Sequence, residues 1–205
     1  MKLMAIIGSP RKGGNTEIMV DKVIEGCKSK AEVEVNKFFI VDKKIDYCTG
    51  CMTCVFPPPG TKKCVIEDDM AGILDEMRES DAYIFGTPNH MHTITAPLLN
   101  FLSRMMPLFE MELEFDDNGK MMGGAISSTL KKRKSAVVIS QGDPFFSSAL
   151  VYEVINSNLS DFGLKRIGDV ISRANLLKGT VSEKEHDLQS AFDVGVLMAT
   201  TTGWG

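Results

Sequence analysis

Hydrophobic and polar positions alternate along this chain in two rhythms that take turns. The apolar run Leu3-Met4-Ala5-Ile6-Ile7 stops at Gly8, the pattern of a strand buried on both faces. Across residues 16–28, Ile18, Met19, Val23, Ile24 and Cys27 recur at helical spacing, with Asn15 or Thr16 placed to cap the start. Residues 31–40 alternate and then turn apolar, which predicts a second strand. Met70, Ile73, Leu74 and Met77 mark a helix over 69–78, and Ala82-Tyr83-Ile84-Phe85-Gly86 a third buried strand. A helix over 96–106 and a fourth strand, Ala136-Val137-Val138-Ile139-Ser140, follow. The pattern closes with a helix over 147–162, a fifth strand over 167–171 and a last helix over 183–200.

Five strands separated by helices predict an α/β protein, with a parallel sheet covered on both faces. Two stretches interrupt the rhythm. Residues 41–66 carry four cysteines and three consecutive prolines, and residues 107–134 read as a long polar loop. Loops of that length in a compact domain are usually functional or mobile. No repeat and no linker divides the chain, so residues 1–205 are expected to form a single domain, with 41–66 a cysteine-rich insertion.

Composition adds exclusions rather than a function. An apolar share of 43% and a charged share of 24% are those of an ordinary globular protein. A net charge of −4 argues against a nucleic-acid partner, whose phosphates call for excess Lys and Arg. The one cationic run, Lys131-Lys132-Arg133-Lys134, reads as a solvated loop. No segment approaches the roughly 18 consecutive apolar residues of a membrane span. The N-terminal apolar run is too short for a signal peptide. The expectation is therefore a cytoplasmic protein with no membrane partner, whose cysteines are thiols or metal ligands rather than disulfides.

Candidate chemistry gathers in two places. The first strand ends in Gly8-Ser9-Pro10-Arg11-Lys12-Gly13-Gly14-Asn15-Thr16 and delivers the chain into a helix N-terminus, where free N–H groups and the helix dipole favour an anion. Ser9, Asn15 and Thr16 add neutral donors and Arg11 a planar cationic fork, while Gly13 and Gly14 permit close approach. No Lys precedes Thr16, which excludes a Walker A loop, and the Gly-x-Gly-x-x-Gly fingerprint is absent. What remains suits a terminal monophosphate. The second place is Cys48-x-x-Cys51-x-x-Cys54 with Cys64 beyond it. Three thiolates at that spacing can converge on one face of an iron-sulfur cube, and a fourth closes the set. Zinc, a redox-active Cys-x-x-Cys pair and free thiols are competing readings. Cys27 lies on the apolar stripe of the first helix and is expected in the core. His90 and His92 read as polar loop residues.

The loop Gly8-Ser9-Pro10-Arg11 followed by Gly14-Asn15-Thr16 resembles the FMN-phosphate loop of the NADPH-dependent FMN reductases and iron-sulfur flavoproteins. Gly86-Thr87-Pro88-Asn89-His90, with Ala96-Pro97-Leu98-Leu99-Asn100-Phe101-Leu102-Ser103-Arg104, resembles their isoalloxazine-side segment, although His90 stands where the family often has an aromatic residue. The resemblance covers residues 1–106 in detail and the later strands by pattern only. It implies a flavodoxin-like three-layer sandwich with a five-stranded parallel sheet in the order 2-1-3-4-5, and FMN as cofactor. Ser9, Arg11, Gly14, Asn15, Thr16, Thr87, Pro88, Asn89 and His90 would then hold the flavin, and by the same topology so would Gln141 and Gly142. It implies a 4Fe-4S cluster on Cys48, Cys51, Cys54 and Cys64, even though Val55-Phe56-Pro57-Pro58-Pro59-Gly60-Thr61-Lys62-Lys63 makes the last arm longer than usual. It further implies NAD(P)H as a transient donor, small electron carriers or quinone-like acceptors as partners, and a homodimer or homotetramer. No acid–base catalytic residue stands out. A cluster-free NAD(P)H-dependent FMN or quinone reductase, and a flavin or thiol redox sensor, are the alternatives.

Overall fold

A computed structural model describes residues 1–57 and 64–202. In chain order the elements are β1 (Lys2–Ile7), α1 (Asn15–Lys28), β2 (Glu34–Phe39), α2 (Met70–Glu79), β3 (Ala82–Pro88), α3 (Ala96–Ser103), β4 (Phe109–Phe115), β5 (Met121–Ser128), β6 (Lys134–Ser140), α4 (Ala149–Asp161), β7 (Lys165–Ser172) and α5 (Glu185–Thr200). The main sheet runs β2-β1-β3-β6-β7, every pair parallel. With the hairpin strands set aside this is the expected order 2-1-3-4-5.

The continuous apolar runs sort their side chains by the two-residue period of a strand. Met4, Ile6, Tyr83, Phe85, Val137 and Ile139 face one side, where α2, α3 and α4 cover them with residues such as Met77, Phe101 and Ile155. Leu3, Ala5, Ile7, Ile84 and Val138 face the other, against Val20, Val23 and Cys27 of α1 and Val194 and Met198 of α5. Cys27 is fully buried, as expected, and burial pushes its thiol up to about 11. Two glycines let α1 and α5 touch backbone to backbone. A Cβ at Gly26 would fall 2.0 Å from Phe192 O, and one at Gly195 2.0 Å from Val23 O.

Two expectations change. The helix expected to reach residue 106 ends at Ser103 and passes into a 3₁₀ turn at Met106–Leu108, because Pro107 lacks the N–H an α-helix needs there. The segment 107–134, expected as a long polar loop, carries an antiparallel hairpin of β4 and β5 outside the main sheet. Its first strand does alternate, with Phe109, Met111, Leu113 and Phe115 between Glu110, Glu112 and Glu114, but the glutamates mask the period. Asp116 builds the turn by accepting from the N–H groups of Asn118 and Lys120. β5 is exposed along nearly its whole length, Met121, Met122 and Ile126 included. Among the described residues, no helix is long and apolar enough to cross a membrane.

Candidate functional site

The C-terminal ends of β1, β3 and β6 meet the start of α1 at one edge of the sheet, where parallel α/β sheets place ligands. A cleft of about 210 Å³ opens there. Ser9, Pro10, Arg11, Gly14, Asn15 and Thr16 form one wall, and Pro88, Asn89 and His90 the facing one. Ser140 and Gly142 close the floor, and Asn175, Leu176 and Lys178 the side.

The anion-binding wall is built by the loop after β1. Gly13 takes a left-handed turn (φ +64°), and Gly14 leads into α1 as an N-cap without a side chain. No side chain caps the helix, so the first-turn N–H groups of Asn15, Thr16 and Glu17 remain open to a ligand. Arg11 forms no ion pair among the described residues, and its own N–H donates to Ser9 Oγ at 3.2 Å. Glu17, the one carboxylate on this turn, is occupied. Its Oε2 accepts from Gly13 N at 2.5 Å and its Oε1 from Lys37 Nζ at 2.9 Å. Burial pushes the Glu17 carboxyl up, but those donors outweigh burial and hold it lowered.

Four of the expected flavin residues have other work in this structure. Thr87 is buried off the cleft wall, accepting from Thr95 N at 3.3 Å and donating to Pro88 O at 3.0 Å. Gln141 is also a strut. Its Oε1 accepts from Asn89 Nδ2 at 2.7 Å and Ser148 Oγ at 2.8 Å, and its Nε2 donates to the carbonyls of Asp143 and Phe146. It borders a smaller adjoining cavity of about 110 Å³ with Met91, His92 and Phe146. Asn15 lies on the wall, but its amide is tied to the loop after β7. Thr16 Oγ1 and Ser140 Oγ share a 2.6 Å hydrogen bond that locks α1 to β6.

The facing wall carries a strained turn. His90 N donates to Thr93 O and Thr93 N to His90 O, so Met91 and His92 are the central pair of a two-residue hairpin. Both have positive φ, 53° and 64°, the signature of a type I′ turn normally written Asn-Gly. His92 meets the Phe146 ring edge-on at 4.7 Å, while Met91 and Phe145 stand almost fully exposed.

The cysteine loop lies beside this cleft, held to α3 at both stems. Asn100 Nδ2 donates to Ile45 O at 3.0 Å. Arg104, buried with Asp68, donates from Nη1 to Asp46 O at 2.5 Å and Asp68 Oδ2 at 2.7 Å. Its Nη2 reaches Asp68 Oδ1 at 3.1 Å and Cys64 Sγ at 3.7 Å. Cys48 and Cys51 are exposed, Cys54 and Cys64 half-buried. Burial raises the Cys54 thiol, and the neighbouring Cys64, Cys48 and Cys51 raise it further. Among the described residues, no three of these ligand types close on a single point. The four thiols thus match an iron-sulfur cluster in number and kind, short of the convergence a bound cluster needs. Of the lengthened arm, residues 58–63 lie outside the described residues. Phe56 packs on Phe115 at 6.0 Å, so this loop touches the hairpin.

Thr95, Asn175, Leu176 and Lys178 are cleft residues to which the sequence pattern did not point. Thr95 carries a legible signal, an N-cap Thr before Ala96-Pro97. Its hydroxyl nevertheless leaves the helix and donates to Gly8 O at 2.8 Å. The loop after β7 could have been found by applying the strand-end rule to the last strand as well.

The family model described as NADPH-dependent FMN reductase matches residues 1–151. An iron-sulfur flavoprotein of Archaeoglobus fulgidus is 40% identical over 107 residues, 52% of this chain and 46% of that protein. One of Methanocaldococcus jannaschii is 32% identical over 127 residues, 62% of this chain and 61% of its own length. The chain thus spans about half the length of the curated relatives it matches. An FMN-dependent NADH-azoreductase of Bacillus anthracis, solved in complex with FMN, superposes with a TM-score of 0.71 at 12% identity, covering 98% of this chain and 100% of that one. That likeness is one of fold.

Proposed function

We propose a function from one premise: the chain belongs to the NADPH-dependent FMN reductase family. It is an FMN-dependent oxidoreductase that passes electrons between NAD(P)H or a reduced carrier and an acceptor such as a small electron carrier or a quinone. The observation that carries this reading is the uncapped start of α1 beside Arg11, facing Pro88, Asn89 and His90 across a cleft at the sheet's switch point. Gly14 lets this loop close tightly on itself, since a Cβ there would lie 2.8 Å from Arg11 O.

In this reading the N–H groups of Asn15, Thr16 and Glu17, with Ser9 and Arg11, bind the phosphate. The strand-end residues Pro88, Asn89 and Gly142 orient the ring, and His90 and the Met91-His92 turn shield its outer side from water. Thr87 and Gln141 hold those groups in place. FMN, when bound, supplies two-electron and one-electron chemistry at its ring, and a 4Fe-4S cluster supplies single-electron transfer. Cys48, Cys51, Cys54 and Cys64 would hold that cluster. Their number and their spacing on one loop, and the names of the relatives, support this.

A second reading keeps FMN without the cluster, favoured by the exposure of Cys48 and Cys51 and the lack of a converged ligand set among the described residues. Anaerobic purification followed by an absorption spectrum and an iron and sulfide assay separates the two. Flavin bands with about four irons per chain are expected. Flavin without iron, even after reconstitution, leaves the cluster-free reductase, and a chain that binds no flavin overturns both.

A further inference from the structure

We infer that the loop after β7, residues 173–179, is a third wall of the FMN site, with Lys178 a second cation on the phosphate and Asn175 the acceptor for a ribityl hydroxyl. The inference rests on the FMN reading and assigns residues to it that neither the loop pattern nor the family match, which ends at residue 151, reaches.

Lys178 comes from the far end of the sequence and lies over the phosphate loop. A Cβ at Gly13 would meet its Cε at 3.4 Å and its Nζ at 3.5 Å. Its ammonium forms no ion pair among the described residues, and it lines the cleft with Arg11. An unpaired Lys and an unpaired Arg at the open start of a helix make a site for a dianion.

Asn175 supplies the independent observation. It lines the cleft at 6% exposure, and its Oδ1 has no hydrogen-bond partner among the described residues. The orientation of its amide follows from its neighbours. Ser172 Oγ donates to the Asp187 carboxylate, so it can only accept from Asn175 Nδ2, at 2.7 Å. The carbonyl end is therefore the free one. A buried acceptor without a partner is costly, and a phosphate dianion has no proton to offer it. A hydroxyl of the sugar-alcohol chain has one.

Asn15 latches this loop in place. Its Nδ2 donates to Asn175 O at 3.2 Å and Leu177 O at 2.8 Å, and its Oδ1 accepts from Val181 N at 3.1 Å. Ala174, left-handed at φ 57°, turns the chain toward the cleft.

The test is a fluorescence titration of the flavin-free full chain with FMN and with riboflavin, at low and high salt. Lys178→Gln is expected to weaken FMN about tenfold at low salt and leave riboflavin unchanged. Asn175→Leu is expected to weaken both flavins by a similar factor. Lys178 is exposed, so its variant folds whatever becomes of the other. Unchanged FMN affinity in Lys178→Gln, or an equal loss for riboflavin, overturns the inference while the FMN reading stands. A wild-type chain that binds neither flavin overturns the FMN reading and this one with it.

Discussion

Met91 and His92 occupy a turn that Asn-Gly would fill at lower conformational cost. A non-glycine residue in the left-handed region costs about 1–2 kcal/mol, and two stand side by side here, on the small cavity that adjoins the cleft. Strain held at such a place points to side chains kept for what they do. The double variant Met91→Asn, His92→Gly is expected to raise the thermal midpoint by roughly 2–4 °C per kcal/mol gained for a chain of this size. It is also expected to slow turnover with an FMN-dependent acceptor, because the outer wall loses Met91 and the His92–Phe146 contact. A lower midpoint in a calorimetric scan would refute the strain. Single residues also mark how far the sequence could be read. Asn15 stands where the loop pattern puts it, yet its amide faces the loop after β7. A donor-rich pattern identifies who is present at a helix start, and only the path of a strand more than 150 residues later decides which groups are free.

Arg104 acts at the scale of elements, joining the end of α3 to both stems of the cysteine loop. Arg104→Met strands the buried Asp68 carboxylate, and a loss of about 3–5 kcal/mol is expected in urea denaturation. The pH dependence carries the same signature. Burial pushes the Asp68 carboxyl up, but Arg104 and the N–H groups of Asp46 and Met70 outweigh it and leave the carboxyl lowered. A group lowered on folding stabilises fully above its unfolded value, about 4, and that stabilisation is lost as pH falls through the folded value. The urea midpoint of the wild type is therefore expected to fall in acid, and that of Asp68→Asn to fall less. Equal acid sensitivity would refute the assignment. At this scale the elements of the main sheet were legible because their apolar runs are uninterrupted. The hairpin was not, because Glu110, Glu112 and Glu114 made a strand look like a solvated loop. The clamp was illegible for another reason: Arg104 and Asp68 are 36 residues apart, and only the packing of α3 beside the loop stems brings them together.

For the whole molecule, the sheet order follows from the rhythm of strands and helices together with the family resemblance, whereas the association of copies has no such period. The hairpin lifts Met121, Met122 and Ile126 away from the core, and an isolated two-stranded ribbon is marginal in water. The family resemblance implies a homodimer or homotetramer, and a second copy is the cover we propose for these residues. Light scattering at micromolar concentration is expected to give a multiple of the 22.5 kDa chain mass. A monomer mass would refute it.

The backbone contact between α1 and α5 also sets a schedule. A ribosome delivers residues 15–28 long before residues 185–200, so the face of α1 that meets α5, at Val23 and Gly26, waits for its cover. During synthesis the nascent polypeptide therefore carries that face of α1 uncovered until residues 185–200 have emerged. A chain cut short before residue 185 would leave that face for a chaperone to shelter or a protease to find.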